Sequence, residues 1–325
     1  MSSEQCVLVT GAAGFVGARV TAALADTTGV RVVATDLAPP RNTQWPDTVR
    51  FESLDIRDPA LAELMVAEQV SSVVHLASVV TPPPGMSREE QEAIDVGGTA
   101  NVLAACRKAD VGHLTVTSSG AAYGYHADNP LPLREGDALR GNPAFAYADH
   151  KRRIEEMLAE WRRDYPQLRQ LVLRPGTILG PGVNNQITAL FERRLVLAVA
   201  GSDSPFVFIS DEDVVKIIVR GVLTQRSGLY NLAGDGWLGM PELARLLGKP
   251  RLPVPAWLIA GMIRLLRSLR LTQLEPAQVD FLRYRPVLDN TALREEFGYT
   301  PAPSREVFLK WAQARGLLNA DRDAA

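Results

Sequence analysis

Tyr147 and Lys151, which open and close the pentapeptide YADHK, have the side chains needed to move a proton. On a helix, residues four apart share one face. A protonated lysine beside a phenol favours the phenolate and lowers the pKa of the tyrosine from about 10 toward the working range. A tyrosine in this state can take the proton of an alcohol hydroxyl or return it. Ser119, at the end of the strand-like segment HLTVTSS, could hold the reacting oxygen.

A simpler interpretation makes the pentapeptide the first turn of a surface helix. The residues that follow are predicted to form a solvated face: Arg152, Arg153, Glu155 and Glu156. The three residues between Tyr147 and Lys151 are predicted to be scaffold. His75 is predicted to be a core residue at a strand end, and the other histidines have no metal-ligand spacing, so no metal site is predicted.

The segment VTGAAGFVGARV places three glycines, Gly11, Gly14 and Gly17, between a predicted strand and a predicted helix. A tight strand-to-helix turn needs residues without a Cβ, and so does close approach of the backbone to a pyrophosphate. The start of the helix then offers free N–H groups and the positive end of its dipole. A plain turn is the alternative, but the flanking strand and helix favour a dinucleotide site.

Asp36 ends the second predicted strand, at about the expected distance of roughly 20 residues beyond the last glycine. A carboxylate there can accept hydrogen bonds from the adenosine ribose and would repel a 2′-phosphate. Leu37 follows, so no adjacent arginine would bind that phosphate. NAD is therefore predicted as the cofactor, although Arg41 keeps NADP open. The alternative for Asp36 is a solvated turn residue.

The composition excludes several classes of protein. The 325 residues are 46% apolar and carry a formal net charge of −2, which gives no reason to expect nucleic acid as a partner. No stretch has the roughly 20 apolar residues that span a bilayer, and the N-terminal residues lack a signal-peptide pattern. Cys6 and Cys106 are too few for a disulfide framework and are predicted to be small core residues. We expect a cytoplasmic protein with a small-molecule substrate.

Strand-like and helix-like segments alternate along the first half of the chain. The predicted strands are CVLVT (6–10), RVVAT (31–35), SSVVHLA (71–77), HLTVTSS (113–119) and QLVLRP (170–175). The predicted helices are GARVTAALAD (17–26), DPALAELMVAEQ (58–69), EEQEAIDVGGTANVLAACRKA (89–109) and AYADHKRRIEEMLAEWRRD (146–164). This order predicts an α/β fold with a Rossmann-type, doubly wound parallel sheet. We expect residues 1–180, with returning segments near 206–232, to bind NAD, and residues 181–325 to form a smaller, partly discontinuous substrate lobe.

With these motifs in order, the chain resembles the extended short-chain dehydrogenase/reductases, that is, the NAD-dependent epimerase/dehydratase family. Its C-terminal lobe also has features similar to 3β-hydroxysteroid dehydrogenases. The resemblance covers nearly the whole chain. It rests on TGAAGFVG (10–17), LDIRD (54–58), HLAS (75–78), DVGGTANVLAAC (95–106), TSSGAAYG (117–124), YADHK (147–151), LRPGTILGPG (173–182), FISDEDVV (208–215), YNLAGDG (230–236) and FGYTP (297–301).

The resemblance implies a role for individual residues. Ser119, Tyr147 and Lys151 would form the catalytic set. The implied NAD contacts are Gly11, Gly14, Phe15, Val16, Gly17, Asp36, Asp55, Ile56, Leu76, Ala77, Ser78, Tyr147, Lys151 and Pro175. The implied substrate contacts are Val80, Met86, Ser118, Gly120, Thr177 and Asn185. A homodimer through residues 88–109 and 147–164 is also implied.

The sequence departs from the family pattern at two places. Asp95 stands where the family usually has asparagine, so its carboxylate would add negative charge near the cofactor unless a neighbouring group neutralises it. Ser204 and Pro205 stand where nucleotide-sugar members typically carry an arginine that pairs with the substrate diphosphate. Arg283 and Arg285 could partly replace that arginine.

Residues 252–271, LPVPAWLIAGMIRLLRSLRL, are predicted to include an amphipathic helix. Its apolar face carries Trp257, Leu258, Met262 and Leu265, and its polar face carries Arg264 and Arg267. We expect this helix to pack into the core of the smaller lobe. The alternatives are an apolar wall over a lipid-like substrate and a weak contact with a membrane surface.

Three functions are compatible with these features. The first is an NAD-dependent oxidoreductase that transfers hydride between NAD and a secondary alcohol or ketone, with Tyr147 as general acid/base. The second is an NAD-dependent epimerase of a sugar or nucleotide sugar. The third is a non-catalytic dinucleotide-binding module. The segment at Ser204 and Pro205 favours the first over the second.

Overall fold

The computed structural model describes residues 5–41, 44–269, 271, 276 and 279–318, apart from the side chain of Gln186. The chain divides into two compact units. The first comprises Met1–Ser119, His150–Arg174 and Asp211–Tyr230, and the second comprises Gly120–Asp149, Pro175–Ser210 and Asn231–Ala325. These bounds differ from the predicted division after residue 180, and the assignment of NAD binding and substrate binding to the two parts stays a prediction.

The strands of the described residues confirm the five predicted strands and add several short ones. They are β1 (Gln5–Thr10), β2 (Val30–Asp36), β3 (Arg50–Ser53), β4 (Ser72–His75), β5 (His113–Thr117), β6 (Arg169–Pro175), β7 (Thr177–Leu179), β8 (Val196–Val199), β9 (Phe208–Ser210), β10 (Gly228–Leu232) and β11 (Arg251–Val254).

The helices include all four that the sequence predicts. They are α1 (Phe15–Ala25), α2 (Ala60–Ala67), α3 (Arg88–Glu92), α4 (Gly98–Lys108), α5 (Ala146–Asp164), α6 (Gln186–Glu192), α7 (Asp211–Leu223), α8 (Met240–Leu246), α9 (Ala256–Ser268), α10 (Val279–Arg283), α11 (Thr291–Glu295) and α12 (Ser304–Ala314). A 3₁₀ turn covers Gly120–Tyr123.

A seven-stranded sheet has the strand order β10-β6-β5-β4-β1-β2-β3. Every neighbouring pair from β6 to β3 is parallel. Apolar side chains of these strands pack with those of α2, α4 and α5 in one buried cluster that contains Cys6 and Cys106. Helices α1 and α7 pack against each other, α1 lies on β2, and α7 lies on β4 and β5. This is the predicted Rossmann arrangement, in which the carboxyl ends of the strands share one edge.

One predicted helix, residues 89–109, is interrupted. A π-helical turn, Ala93–Gly97, joins α3 to α4. Such turns insert one extra residue into a helix and are frequent at functional sites. The turn contains Asp95, which is buried. The insertion therefore sets the direction of the side chain that departs from the family pattern.

The second unit contains two short parallel sheets, β7–β9 and β8–β11. Its core is aromatic: Phe191 lies against Phe206, Phe208, Phe308 and Trp311 with ring centroids 5.4–6.4 Å apart. Edge-to-face arrangements predominate, as expected from the quadrupoles of the rings.

The expectation that the helix in residues 252–271 packs into the core is wrong for most of its apolar side chains. Helix α9 buries Ile263, whereas Trp257 is 74% exposed and Leu265 is 60% exposed. An amphipathic pattern indicates an apolar face but does not decide whether another part of the chain covers it.

Candidate active site

The glycine loop has the close contacts that a dinucleotide site requires. Gly11 has φ of +66°, and a Cβ there would lie 2.5 Å from the backbone nitrogen of Ala77. A Cβ on Gly17 would lie 2.1 Å from the carbonyl oxygen of Gly11. Both positions therefore exclude any larger residue. Because Ala77 belongs to the predicted cofactor motif HLAS, the structure brings two separately predicted NAD elements into contact.

The start of α1 offers its N–H groups to a ligand. The N-cap residue, Gly14, has no side chain to cap the helix. Asp36 lies at this loop, since its Oδ2 accepts a hydrogen bond from the N–H of Ala13 at 2.9 Å and its Oδ1 accepts one from Leu37. The carboxylate is thus fixed at the carboxyl end of β2, beside the glycine loop.

Lys151 is buried and connects α5 to the strand that precedes Ser119. Its Nζ donates a hydrogen bond to the carbonyl oxygen of Thr117, 3.1 Å away, at the end of β5. Tyr147 lies on the same continuous helix, four residues earlier and on the same face. Burial lowers the pKa of Lys151, while the carboxylates of Asp95 and Glu155 act to raise it. These two anions therefore support the charged form of an ammonium that has left water.

Asp95 has the hydrogen-bonding neighbours that the sequence could not identify. Its Oδ2 lies 3.1 Å from Nδ1 of His150, and its Oδ1 accepts hydrogen bonds from Ser78 Oγ at 3.0 Å and from the N–H of Val79 at 2.8 Å. Burial raises the pKa of Asp95, but the contacts with His150 and Lys151 and these hydrogen bonds hold it below its usual value. His150 is therefore more than scaffold between Tyr147 and Lys151.

Glu155 corrects the prediction of a solvated charged face. It is buried, and its carboxylate accepts hydrogen bonds from Nε and Nη2 of Arg174 and from Oγ of Ser118 at 2.6 Å. Arg152 and Glu156 do form an i,i+4 pair at the surface. Among the charged residues that follow Lys151 on helix α5, Glu155 thus faces the interior. Ser118, a predicted substrate contact, has its hydroxyl in this buried network.

His75 is a core residue, as predicted, and its neutral form is fixed by two hydroxyls. Thr99 donates to the carbonyl oxygen of Asp95, so its oxygen accepts from Nε2 of His75 at 3.1 Å. Nδ1 of His75 then accepts from Thr10 at 2.7 Å. Burial, aided by the charge of Lys151, lowers the pKa of His75 to about 3.

The other predicted cofactor residues lie at the ends of the strands, in the loops that follow them, or in the first turn of α1. The carboxylate of Asp55 accepts a hydrogen bond from the guanidinium of Arg57. Ile56 is buried against Gly98, and a Cβ on Gly98 would lie 2.3 Å from Cδ1 of Ile56. Leu76 donates its N–H to Thr10 in β1. The remaining predicted contacts are the half-exposed Phe15 and Val16 in the first turn of α1 and the buried Pro175 at the end of β6.

The predicted substrate residues have varied environments. Val80 is exposed and Met86 is half-buried in the proline-rich loop. Gly120 lies against Leu288, because a Cβ on Gly120 would lie 3.1 Å from Cδ1 of Leu288. The side chain of Asn185 caps α6 by accepting hydrogen bonds from two backbone N–H groups. The roles of all predicted substrate residues stay predictions.

Arg285 lies beside the segment that lacks the family's arginine. Its guanidinium is 4.1 Å from the ring centroid of Phe206 and 4.4 Å from that of Phe281, and Nη2 lies 3.4 Å from Thr177 Oγ1. Burial lowers its pKa to about 10, so it is charged at neutral pH. Its Nη1 is buried without a hydrogen-bond partner among the described residues. The sequence suggested this arginine, but not its contact with Phe206, which follows Ser204 and Pro205 in the chain.

The described residues contain no cluster of three or more histidine, cysteine, aspartate or glutamate side chains that could hold a metal ion. None of the helices in the described part of the chain has the length and apolar character that crossing a membrane requires.

The parallel sheet, the glycine loop and the helix bearing Tyr147 and Lys151 define an NAD-dependent enzyme of the extended short-chain dehydrogenase/reductase type. The model of the NAD dependent epimerase/dehydratase family matches residues 7–233. The chain belongs to this family, and its cofactor is NAD. The residues of the loop fit that cofactor, because the Gly11 and Gly17 positions admit no side chain and the N-terminus of α1 has no capping side chain.

Individual proteins are similar to this chain in sequence or in fold. The chain is 28% identical to the uncharacterized protein Rv0501 of Mycobacterium tuberculosis over 96% of this chain and 84% of that protein. It is 32% identical to short-chain dehydrogenase/reductase family 42E member 1 of Bos taurus over 66% of this chain and 57% of that protein. The structure of Thermus thermophilus UDP-glucose 4-epimerase in complex with NAD has a similar fold, with a TM-score of 0.71, 24% identity and coverage of 96% of this chain and 99% of that chain.

Proposed function

We propose that the chain is an NAD-dependent oxidoreductase that transfers hydride between NAD and a secondary alcohol or ketone. The observation that carries the proposal is the position of Lys151. Its ammonium is fixed to Thr117 O, two residues before Ser119, and α5 holds Tyr147 one turn away on the same face. The three side chains that the chemistry needs are thus carried by the end of one strand and the start of one helix.

A bound cofactor would supply the hydride chemistry: its oxidised form, NAD, would accept hydride from an alcohol carbon, and its reduced form, NADH, would return hydride to a carbonyl carbon. In oxidation, the phenolate of Tyr147 takes the proton of the substrate hydroxyl, and in reduction the phenol returns a proton to the carbonyl oxygen. The ammonium of Lys151 stabilises the phenolate and donates to the hydroxyls of the nicotinamide ribose. The hydroxyl of Ser119 donates a hydrogen bond to the reacting oxygen.

Replacement of the phenol tests this mechanism. Tyr147→Phe removes only the hydroxyl, so we expect turnover to fall by about three orders of magnitude, as loss of a general acid/base does, while the dissociation constant for NAD changes little. Tyr165→Phe, beyond the last turn of the same helix, is the matched control and should keep full activity. Near-normal turnover of Tyr147→Phe would exclude the mechanism.

A second candidate is epimerisation of a sugar or nucleotide sugar, with NAD retained and regenerated. Arg285 favours it, because a charged guanidinium whose buried Nη1 has no hydrogen-bond partner in the described part of the chain suits an anionic substrate such as a diphosphate. The fold shared with a UDP-glucose 4-epimerase is compatible with this candidate. Its distinguishing property is turnover without net formation of NADH.

One experiment separates the candidates. The purified protein is analysed for bound NAD by mass spectrometry and then assayed for NADH formation with hydroxysteroids, simple secondary alcohols, sugars and nucleotide sugars. NADH formation supports the oxidoreductase. A change of sugar configuration without NADH supports the epimerase. Tight NAD binding without either reaction favours the non-catalytic module.

We also propose a cytoplasmic location and a homodimer. Both cysteines are free and buried, which suits a reducing compartment. The dimer rests on the resemblance to family members that associate through helices corresponding to residues 88–109 and 147–164. Light scattering of the purified protein tests it, and a monomer at all concentrations would contradict it.

A further inference from the structure

Helix α9 presents large apolar side chains to solvent. We define the α9 face as Trp257, Leu258, Met262, Leu265 and Leu269, each of which is 43–74% exposed. At about 100° per residue, the first four cover an arc of about 140°, and Leu269 falls within it. Exposed apolar patches of this kind mark sites of interaction with proteins or membranes.

The opposite side of α9 attaches the helix to its own unit. Ile263 is buried, and Ile259 and Leu266 are half-buried. The helix thus has one apolar side for the protein interior and a second, larger apolar side that nothing among the described residues covers. Packing among the described residues therefore does not explain the α9 face.

The charges around the α9 face are all positive within this stretch. Arg264 and Arg267 are exposed and lie along one edge of the apolar arc. Residues 249–271 contain no aspartate or glutamate, although the chain as a whole has 37 acidic residues and a net charge of −2. A chain of nearly balanced charge thus concentrates arginine and large apolar residues in one segment.

We propose that the α9 face binds a lipid surface that contains anionic lipids. A helix that lies in the membrane interface combines tryptophan and leucine on one side with lysine or arginine at its border. The apolar side chains enter the acyl boundary, and each arginine near an anionic surface adds an electrostatic attraction. This inference does not depend on the proposed function.

A second copy of the chain is the less favourable occupant. In a two-fold symmetric dimer the same patch meets itself, so one interface would contain the arginines of both copies. No acidic residue in 249–271 could compensate that repulsion. Anionic lipid, by contrast, complements both the apolar arc and its border.

The test uses the full chain with NAD and two kinds of vesicle. Vesicles of phosphatidylcholine alone are compared with vesicles that contain about 30 mol% phosphatidylglycerol. We expect co-sedimentation with the anionic vesicles, and we expect this binding to weaken when NaCl rises from about 0.1 M to about 0.5 M.

Trp257→Ser/Leu265→Ser should lower vesicle partition by about tenfold or more, because the two large apolar side chains are no longer there to be buried in the lipid. Arg264→Gln/Arg267→Gln should remove the preference for anionic lipid.

The control is Val66→Ser/Leu223→Ser, which removes two exposed apolar side chains from α2 and α7. It should bind vesicles as the unmodified protein does. NAD binding by each variant reports that it is folded. Quenching by brominated lipid should also be lost in Trp257→Phe, although the other four tryptophans remain.

Three results would overturn the proposal. The first is no binding to anionic vesicles, and the second is unchanged binding by Trp257→Ser/Leu265→Ser. The third is that the unmodified protein is a dimer and Trp257→Ser/Leu265→Ser is a monomer that binds vesicles equally well. That result would assign the α9 face to a second copy of the chain.

Discussion

The carboxylate of Asp95 lies 3.1 Å from Nδ1 of His150, although the two residues are 55 positions apart in the chain. The asparagine usual in the family has no charge, whereas Asp95 places an anion close enough to Lys151 to raise its pKa. His150, Ser78 and the N–H of Val79 hold that anion in the interior. Asp95 and His150 thus form a pair that positions charge beside a residue of the proposed catalytic set.

Asp95→Asn should shift the pH dependence of alcohol oxidation. The amide is neutral, so the pKa of Lys151 falls further and its positive charge supports the phenolate of Tyr147 less. Oxidation requires the phenolate, so the acidic limb of kcat against pH should move to higher pH by roughly one unit or less. The profile is measured by NADH formation.

Asp110→Asn is the matched control for Asp95→Asn. It makes the same chemical change at an exposed residue with φ of +54°, a conformation that asparagine also accepts. Its pH profile should equal that of the unmodified protein. Coincident profiles for all three proteins would show that Asp95 does not act on the charge of the site.

His75 should make the folded protein sensitive to acid. The pKa of His75 is about 3 in the folded state, against 6.5 for an ordinary histidine. Between these values the unfolded chain binds a proton that the folded chain does not, so stability falls as pH falls, by at most about 1.4 kcal/mol per pH unit. His75→Gln should flatten the Tm-against-pH curve between these pH values. An unchanged curve for His75→Gln would contradict the assignment.

Asp36 should determine the preference between the two dinucleotides. Asp36→Ala removes acceptors for the ribose hydroxyls, so we expect NAD affinity to fall by about tenfold to a hundredfold and the discrimination against NADP to disappear. Asp36→Asn keeps an acceptor for Ala13 N–H and should lose less NAD affinity. Calorimetric titration with both dinucleotides checks this. Unaltered NAD affinity in both variants would make Asp36 a structural turn residue.

Glu155 and Glu156 are neighbours on α5 with unequal expected contributions to stability. Glu155→Gln leaves Arg174 buried without its full counter-charge, so the free energy of unfolding should fall by about 3 kcal/mol. Glu156→Gln breaks the exposed pair with Arg152 and should cost about 0.5 kcal/mol or less. Urea denaturation measures both values. Equal effects would mean that Glu155 does not form a buried ion pair in solution.

Local sequence patterns were sufficient for the framework of this protein. Continuous apolar runs predicted the strands, the glycine spacing predicted the loop before α1, and the i,i+4 spacing placed Tyr147 and Lys151 on one face. These inferences succeed because each depends on residues close together in the chain. The family resemblance rests on the same short motifs in order.

The tertiary structure decided which distant groups meet and which faces stay exposed. It paired Asp95 with His150 through the π-helical turn before α4, and it buried Glu155 against Arg174 in a run that looks solvated. It also left Trp257 and its neighbours uncovered, contrary to expectation. Charge and hydrophobicity patterns give the chemistry of a helix face, but the elements that pack against that face determine whether its charges are paired and its apolar side chains leave water.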